Sequence, residues 1–281
     1  MIEGNNFPYF TFRAQCYSSG SIEQRDEKVT AEEPLLIRLC DDMGCRDYAT
    51  IMRTPVHDDL LALGFLFSEG VVKVPGDVRW MRYAGSEADK ESSPKNALEV
   101  GVRSVPVGRA PRLVESSCGI CGKASIESLV VEGFGVLNDR ARFRASTVLS
   151  LPEKLRGEQR IFEETGGIHS AGLFDSNGEA IFSAEDVGRH NAVDKVIGFM
   201  LMNGIDGRGK ALQVSGRAGF EIVQKAVRAR ISLVSSVSAP SSLAVDTALS
   251  FNLTLCGFVR QDRFNVYSGE ERIEFDTVFY G

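Results

Sequence analysis

Beyond about residue 137, short apolar runs alternate with longer segments of helical periodicity, and this rhythm constrains the fold more than any other feature of the chain. Short runs bounded by turn residues predict strands, whereas apolar residues at helical spacing predict amphipathic helices. Strands that alternate with helices indicate a layered α/β sheet with parallel members. The predicted strands cover residues 171–175, 180–183, 211–214, 233–237, 255–259 and 264–267, and the predicted helices cover 187–203, 220–231 and 241–251.

The first part of the chain predicts a smaller α+β unit. Residues 35–39 and 47–52 read as strands joined by a hairpin turn, and residues 98–102 read as a later strand. Between them, Thr54 is expected to cap a helix that holds Pro55 in its first turn. This region therefore predicts strands and one helix packed together, ahead of the α/β sheet.

Length and composition set the broad class. The chain has 281 residues, 43% hydrophobic and 25% charged, which is typical of a globular protein with one large or two ordinary domains. We place the boundary between residues 137 and 138. A net charge of −6 argues against a general binder of nucleic acid or of membrane surfaces.

Cysteine usage indicates the compartment. The six cysteines lie at irregular spacings that do not resemble a secreted disulfide framework. The N-terminus shows no signal segment, and no apolar run is long enough to span a bilayer. We therefore expect the reducing cytoplasm, with four cysteines as free core or surface residues: Cys16, Cys40, Cys45 and Cys256.

The sequence points to thiol chemistry in the run Cys118-Gly119-Ile120-Cys121-Gly122-Lys123. The thiolate is the reactive form of cysteine, and both a following helix and a nearby lysine favour it. The pair has four interpretations: half of a zinc site, a dithiol redox pair, a carrier of transferable sulfur, or a structural feature. A closed zinc site needs four ligands, and the three histidines are far apart in sequence. The glycine-rich loop leading into a helix favours an exposed nucleophilic thiol.

Several long segments together resemble the FdhD family, the formate dehydrogenase accessory sulfurtransferases. The resemblance runs from about residue 35 to the last strands. The segments that carry it are Ser117-Cys118-Gly119-Ile120-Cys121-Gly122-Lys123, Thr54-Pro55-Val56-His57-Asp58-Asp59-Leu60, Phe67-Ser68-Glu69-Gly70, Thr165-Gly166-Gly167-Ile168-His169-Ser170-Ala171, Glu185-Asp186-Val187-Gly188-Arg189-His190-Asn191-Ala192-Val193-Asp194-Lys195, Ser215-Gly216-Arg217 and Ser238-Ala239-Pro240-Ser241-Ser242.

The resemblance implies a fold and a function. The implied fold is α/β: a three-layer sandwich like that of cytidine deaminases over residues 138–281, preceded by an α+β domain over residues 1–137 that ends in the C-x-x-C loop and a helix. Cys118 would accept persulfide sulfur from a cysteine desulfurase, with Cys121 in an auxiliary role. The sulfur would pass to the molybdenum bis-guanine-dinucleotide cofactor, the bound substrate, for delivery to formate dehydrogenase. A homodimer is implied, a guanine nucleotide such as GDP is expected to mimic the cofactor, and no structural metal, nucleic acid or membrane partner is expected.

Two loops are candidates for binding this large anionic cofactor. Anionic ligands of α/β sheets bind at the carboxyl ends of strands, beside helix N-termini. Each of the two loops follows a predicted strand and opens a helix: Ser215, Gly216 and Arg217 in the first, and Ser238, Pro240 and Ser241 in the second. Either loop alone is equally typical of a polar helix cap, whereas two such loops in adjacent units favour binding.

The resemblance adds a third cofactor-binding segment, for which an ordinary hairpin turn is the alternative. A phenylalanine there would stack on a base, and arginines would meet phosphate. The residues are Phe258, Val259, Arg260, Gln261, Asp262 and Arg263.

Polar residues in two further segments are candidates for the pocket floor, or for structural hydrogen bonding. Asp186 is expected to cap the helix that starts at Val187. His57, beside Asp58 and Asp59 on the early helix, has the same two interpretations. The remaining candidates are Gly166, Gly167, His169, Arg189, His190 and Asp194.

Two other function classes remain open on the sequence. A zinc-dependent nucleotide deaminase needs H-x-E followed by P-C-x-x-C, and this chain has neither motif. A non-enzymatic chaperone that binds and delivers the cofactor differs from the sulfur carrier only in whether Cys118 handles sulfur.

Overall fold

The fold is taken from a computed structural model that describes residues 8–85, 96–103, 105, 112–114 and 135–275. The C-x-x-C motif, with Cys118, Cys121 and Lys123, lies outside the described residues, as does most of the predicted polar loop at 85–94.

The first part of the chain forms a long hairpin and a five-stranded sheet. The hairpin pairs β1 (Tyr9–Ser18) with β2 (Ser21–Thr30). The sheet has the order β5-β6-β3-β4-β7 and mixes parallel with antiparallel pairs. Its strands are β3 (Glu33–Asp41), β4 (Gly44–Arg53), β5 (Val78–Tyr83), β6 (Ala97–Val102) and β7 (Arg112–Val114). The predicted strands at 35–39, 47–52 and 98–102 are therefore confirmed.

The helix after β4 begins later than the sequence predicts. Helix α1 covers Asp58–Ser68, and its N-cap residue is His57, which has a left-handed backbone with φ of 55°. Thr54 makes tertiary hydrogen bonds instead. Its hydroxyl donates to the Ala31 carbonyl at 3.0 Å and accepts from the Val187 N–H at 3.1 Å. The prediction of Thr54 as the helix cap is therefore wrong.

The second part of the chain forms a six-stranded sheet with the order β10-β9-β11-β12-β13-β14. Strands β11, β12 and β13 are parallel, and the outer pairs are antiparallel. The strands are β9 (His169–Phe174), β10 (Ala180–Asp186), β11 (Ala211–Val214), β12 (Leu233–Ser236), β13 (Thr254–Gly257) and β14 (Asn265–Ser268). The predicted strands and the presence of parallel members in the sheet are confirmed, and the structure adds their order.

Helices cover both faces of this sheet. Two helices that the sequence did not predict, α2 (Ala145–Gly157) and α3 (Arg160–Thr165), precede β9, and α2 packs on one face. The opposite face carries α4 (Arg189–Met202), α5 (Phe220–Arg228) and α6 (Ser242–Ser250). A short parallel pair, β8 (Phe143–Arg144) with β15 (Ile273–Glu274), joins the α2 side. The α/β class with a three-layer sandwich is confirmed.

The two parts of the chain meet through α1 and α4, whose backbones approach closely at two glycines. A Cβ atom added to Gly64 would lie 1.8 Å from the Asp194 carbonyl oxygen. One added to Gly198 would lie 2.0 Å from the Leu60 carbonyl oxygen. Leu137 packs in the core of the second sheet, while the domain division at 137/138 stays a prediction.

The cysteines correct one expectation. Cys40 and Cys45 are register partners at the end of the β3–β4 hairpin, with Cα atoms 4.0 Å apart, and they form a disulfide. The prediction that they are free is wrong because the hairpin register, which sequence spacing does not reveal, places the two side chains opposite each other. Cys16 and Cys256 are free, as expected, and burial raises the pKa of the Cys256 thiol to about 12.

Candidate functional site

The predicted binding loops converge on one edge of the six-stranded sheet, which we call the carboxyl edge. It is formed where β11, β12 and β13 end, and where the antiparallel strand β9 begins. Helices α4, α5 and α6 all start at this edge, so their N-termini lie close to it. The segments brought together are 166–169, 186–191, 215–217, 237–241 and 258–263.

Hydrogen bonds connect these loops to one another. The Ser236 hydroxyl donates to the Gly216 carbonyl at 2.7 Å, which ties the loop after β11 to the loop after β12. The Phe258 N–H donates to the Ser238 carbonyl at 3.2 Å, which ties the latter loop to the segment after β13. The three predicted cofactor-binding segments therefore form one continuous surface.

The loop after β11 has an anchored start and an exposed tip. The Ser215 N–H donates to the Ser170 carbonyl at 3.0 Å, and the Ser215 hydroxyl accepts from the Ser170 N–H at 2.9 Å. Gly216 lies against His169, because a Cβ added there would be 3.5 Å from the imidazole Nδ1 atom. Arg217 is exposed. The loop therefore presents a guanidinium beside the N-terminus of α5.

The loop after β12 contains a true helix cap. The Ser241 hydroxyl accepts from the Ala244 N–H at 3.3 Å, as an N-cap residue does. Pro240 bridges to Ala218 in the neighbouring loop and holds the two loops side by side. Ser241 is therefore a helix cap, the alternative that the sequence left open. Ser238 contacts the segment after β13 through its carbonyl.

The segment after β13 is a tight turn with one buried member. Phe258 is 43% exposed and has a positive φ of 53°, whereas the side chain of Val259 is completely buried in the core under α2. The Arg260 N–H donates to the Arg263 carbonyl at 2.9 Å and closes the turn. Gln261, Asp262 and Arg263 are exposed. The phenyl ring and the Arg263 guanidinium are therefore available to a ligand, whereas Arg260 Nη1 already donates to the Val237 and Val259 carbonyls and the Val259 side chain is buried.

A cleft of about 750 Å³ opens beside the carboxyl edge on the α2 side of the sheet, and we call it the α2 cleft. Glu185 shapes it, because its carboxylate accepts the backbone N–H groups of Ile161 and Phe162, both at 2.8 Å, and so holds the short helix α3 over the sheet. The lining residues are Pro152, Leu155, Arg156, Gln159, Phe162, Gly166, Gly167, Ile168, His169, Val187, Gln213, Ser215 and Val237. This volume lies within the usual range for a small-molecule site.

The pKa values of two histidines at this edge are lowered. Burial, followed by the charge of Arg189, lowers the pKa of His169. Burial, followed by the charge of Lys225, lowers the pKa of His190 to about 3. The 3.2 Å contact between His190 Nε2 and the Glu221 carboxylate is therefore not an ion pair. Among the described residues, neither ring nitrogen of His190 has a hydrogen-bond partner.

Asp186 belongs to a buried structural network. Its carboxylate accepts from Gly188 N–H and Asn191 Nδ2, both at 2.8 Å, and lies 2.6 Å from Lys195 Nζ. The helix itself begins at Arg189, with Gly188 as its cap residue. The prediction of Asp186 as the helix cap is therefore wrong. Its carboxylate accepts from Gly188, the residue before the helix, and pairs with Lys195.

The other candidate acids and His57 also make their contacts with other residues of the protein. Asp194 accepts from Lys225 Nζ at 2.6 Å and from the Ser68 hydroxyl at 2.8 Å, so it joins α4 to α5 and to the end of α1. Asp58 forms a bidentate ion pair with Arg53 in the first part of the chain. The ring of His57 packs edge-on against Phe182, with centroids 6.0 Å apart.

Sequence reasoning missed the α2 side of the site. Gln213 lies in the strand Ala-Leu-Gln-Val, where a single polar residue interrupts an apolar run, and it is completely buried. Buried amides need partners, so a lone glutamine in a central strand was the available signal. The α2 wall had no comparable signal, because Pro152 lies inside that helix and weakens its helical pattern.

Comparisons with known proteins show the family of this chain. The model of the FdhD/NarQ family matches residues 30–274, and the chain belongs to that family. A curated relative from Thermoplasma volcanium, named a sulfur carrier protein FdhD, is 45% identical over 262 residues, covering 91% of this chain and 92% of the relative. One from Picrophilus torridus with the same name is 45% identical over 251 residues, covering 88% and 92%.

A solved structure is also similar. It is described as the crystal structure of a candidate formate dehydrogenase accessory protein from Desulfotalea psychrophila, and it matches with a TM-score of 0.75 at 26% identity. The match covers 95% of this chain and 99% of that one. Within the part of the chain that the structure describes, all helices are too short or too polar to cross a membrane.

Proposed function

We propose that this protein is a sulfur carrier that moves persulfide sulfur from a cysteine desulfurase to the molybdenum bis-guanine-dinucleotide cofactor used by formate dehydrogenase. Membership of the FdhD/NarQ family is the observation that supports it most, and the matched span, residues 30–274, includes the C-x-x-C motif. The similarity to relatives named as sulfur carriers extends over most of the chain. The partners are thus a desulfurase and a dehydrogenase apoprotein, and the carrier works as a cytoplasmic homodimer.

Sulfur loading requires one thiolate exchange. The Cys118 thiolate attacks the outer sulfur of the desulfurase persulfide, a new S–S bond forms on Cys118, and the desulfurase cysteine leaves as a thiolate. For release, the Cys121 thiolate attacks the Cys118 sulfur, which forms a Cys118–Cys121 disulfide and expels the outer sulfur as hydrosulfide. The hydrosulfide replaces an oxo ligand of the cofactor, which leaves as water after protonation, and a cellular dithiol reduces the disulfide.

The carboxyl edge supports binding of the cofactor. Helices α5 and α6 both start there, and partial positive charge at helix N-termini favours phosphate. Arg217, Arg260 and Arg263 are exposed at the same edge and supply planar donors for phosphate oxygens. An acidic chain that gathers arginines at one edge is suited to an anionic ligand rather than to polyanions in general.

Intact-mass spectrometry tests the sulfur step. The protein would be incubated with a cysteine desulfurase and cysteine, then measured without reductant. We expect a gain of at least one sulfur atom in the wild type and in Cys16→Ser, a free cysteine that serves as the matched control. We expect no gain in Cys118→Ser. Equal gain in Cys118→Ser would contradict the proposal.

A cofactor-delivery chaperone is the second candidate, because the carboxyl edge supports ligand binding without reference to the thiols. It predicts that Cys118→Ser still activates formate dehydrogenase in a strain lacking the native protein. The sulfur carrier predicts that this variant does not.

A further inference from the structure

The end of the β3–β4 hairpin carries a pair of sulfur atoms that the proposed function does not use. Cys40 and Cys45 are register partners joined by a disulfide, and Cys40 is buried whereas Cys45 is exposed. A thiolate from solvent can therefore reach the Cys45 sulfur. Val114, the last described residue before the C-x-x-C motif, pairs with Ile51, so the disulfide lies at the end of β4 remote from Val114.

The hairpin is held together without the disulfide. Its ladder continues past the two cysteines to Asp41 and Gly44, and the Asp41 carboxylate accepts the Met43 N–H at 2.9 Å within the turn. On its other side, β3 pairs with β6 as far as Gly101, the register partner of Cys40. Reduction of the S–S bond therefore leaves the backbone pairing in place, and the fold accommodates the pair in either oxidation state.

A third group, Glu99, lies beside the sulfurs, and its hydrogen bonds argue against a metal site. Its carboxylate and the two sulfurs lie within 4.8 Å of one another. The carboxylate accepts from Arg38 at 3.0 Å and from two nitrogens of Arg82 at 3.0 and 3.1 Å. A structural zinc site needs four ligands, whereas this cluster of described residues offers three, one of which already binds two guanidinium groups. The cluster therefore favours sulfur chemistry over metal binding.

The compartment decides which state the pair adopts. The proposed function places the protein in the reducing cytoplasm, where disulfides are usually transient, catalytic or redox-sensing. An exposed sulfur at Cys45 and a fold that accommodates both states suit reversible exchange. The free thiols expected from the sequence and the disulfide of the structure are then two states of one site.

We propose that Cys40 and Cys45 form a thiol–disulfide exchange site for low-molecular-weight thiols such as glutathione. A glutathione thiolate attacks Sγ of Cys45, a mixed disulfide forms there, and the Cys40 thiolate leaves and takes up a proton. A second glutathione thiolate attacks the glutathione sulfur of the mixed disulfide, so oxidised glutathione leaves and Cys45 becomes a thiol. Two electrons pass from two thiols to the protein, and excess oxidised glutathione reverses both steps. The inference rests on the proposed function only for the reducing compartment and involves neither the C-x-x-C motif nor the cofactor.

The sheet also supplies a reporter of this exchange. Trp80, the single tryptophan of the chain, pairs with Gly101, which in turn pairs with Cys40, so the three residues form one row across β5, β6 and β3. A Cβ atom added to Gly101 would lie 2.4 Å from the indole, so the ring lies over the glycine. Register partners share a face of the sheet, which brings the indole toward the disulfide. Because a disulfide quenches a nearby indole by accepting an electron from its excited state, reduction should raise the fluorescence.

A glutathione titration of the full wild-type chain tests the inference. The native protein would be equilibrated at the glutathione ratio of a reducing cytoplasm and alkylated, and peptide mass spectrometry would assign each modified cysteine. We expect Cys40 and Cys45 to be modified together, and the Trp80 emission to rise over the same range of ratios. Oxidised glutathione should reverse both changes, and the circular dichroism spectrum should stay the same throughout.

Two single variants test the roles of the two sulfurs. Cys40→Ser keeps the exposed sulfur and should gain one glutathione on Cys45 when treated with oxidised glutathione. The matched variant Cys45→Ser keeps the buried sulfur and should carry at least about tenfold less adduct, because burial shields a thiol from attack. Cys45→Ser should also lose the rise in emission on reduction, whereas the control Cys16→Ser should keep it.

Three results would overturn the inference. The first is a disulfide that glutathione reduces only in the denatured protein, and the second is loss of the native circular dichroism spectrum on reduction, since either makes the disulfide a structural cross-link. The third is stoichiometric zinc on the reduced protein with Cys40 and Cys45 protected from alkylation. Failure of the proposed function is distinguishable, because it appears as absent sulfur gain on Cys118 in the desulfurase assay and leaves the glutathione titration unchanged.

Discussion

Two buried polar clusters in this molecule are built in opposite ways. Between the two sheets, Asp186, Lys195 and Thr54 are buried, and each has several partners. At the α2 cleft, Gln213 and Ser235 are equally buried, but each keeps an atom without a hydrogen-bond partner among the described residues. The first cluster joins residues far apart in sequence and closes on itself. The second lies where a cleft reaches the sheet.

The two clusters differ in how completely their polar groups are paired. A buried charge is stable only when paired and hydrogen-bonded, so the Asp186–Lys195 cluster satisfies itself and has no capacity for a ligand. An unsatisfied buried amide instead raises the free energy of the folded protein. The conspicuous charged residues Asp186 and Lys195 therefore have a structural role, whereas the inconspicuous Gln213 lines the cleft.

Breaking the paired cluster should have the largest effect. Lys195 is completely buried; its ammonium lies 2.6 Å from Asp186 and donates to the carbonyls of Thr54 and Glu185. Lys195→Met leaves the Asp186 charge buried without a cation, so we expect the free energy of unfolding to fall by about 3–5 kcal/mol. Urea denaturation monitored by circular dichroism measures it.

The control for that prediction is Lys154→Met, which removes a partly exposed lysine that donates to the Gly178 carbonyl and pairs loosely with Glu179 at 3.5 Å. Its free energy of unfolding should change by less than about 1 kcal/mol. Equal losses for the two variants would show that burial and pairing at Lys195 carry no special weight.

Titrating an unpaired buried group should have an intermediate effect. Burial lowers the pKa of His190 from 6.5 to about 3, so below pH 6.5 the unfolded chain binds a proton that the folded chain does not. The free energy of unfolding should therefore be fully present above pH 6.5 and fall as the pH decreases toward 3, by about 2.7 kcal/mol near pH 4.5 from this group alone.

His190→Gln should reduce that loss, and denaturant titrations over the acidic range in both proteins measure it. His57 and His169, whose pKa values are also lowered chiefly by burial, account for part of the remaining dependence. An identical slope with and without His190 would mean that its ring is protonated in the folded protein.

Removing a helix cap should have the smallest effect of the three. Ser241→Ala deletes the hydroxyl that accepts from the Ala244 N–H, which should lower the free energy of unfolding by about 1 kcal/mol. Ser242→Ala, one residue into the exposed first turn, is the matched control and should be nearly neutral. Thermal denaturation compares them, and a neutral Ser241→Ala would refute the capping role.

The second sheet could be predicted because its signals are local. Each central strand is short, apolar and bounded by turn residues, and the helices between the strands carry periodic apolar faces. The loops that hold Ser215 and Ser238 followed from the alternation of strands and helices, since parallel strands end at one edge. The turn at 258–263 was expected only from the family resemblance.

The failures came from tertiary contacts. Thr54 has the sequence of a helix cap, but Val187 and Ala31 occupy its hydroxyl, and α1 starts at Asp58. The Cys40–Cys45 disulfide depends on hairpin register, which spacing does not reveal. Val259 lies in an otherwise exposed turn, yet its side chain is in the core under α2, a helix that the sequence did not predict.

Transfer of labelled sulfur tests the central claim most directly. A desulfurase would load the carrier with sulfur from radiolabelled cysteine, and the desulfurase and the cysteine would then be removed. The loaded carrier would be mixed with a formate dehydrogenase apoprotein and its sulfur-free cofactor. We expect label to move to the cofactor and formate oxidation to appear with it, and we expect neither with Cys118→Ser. Label that stays on the wild-type carrier while the dehydrogenase becomes active would contradict sulfur transfer.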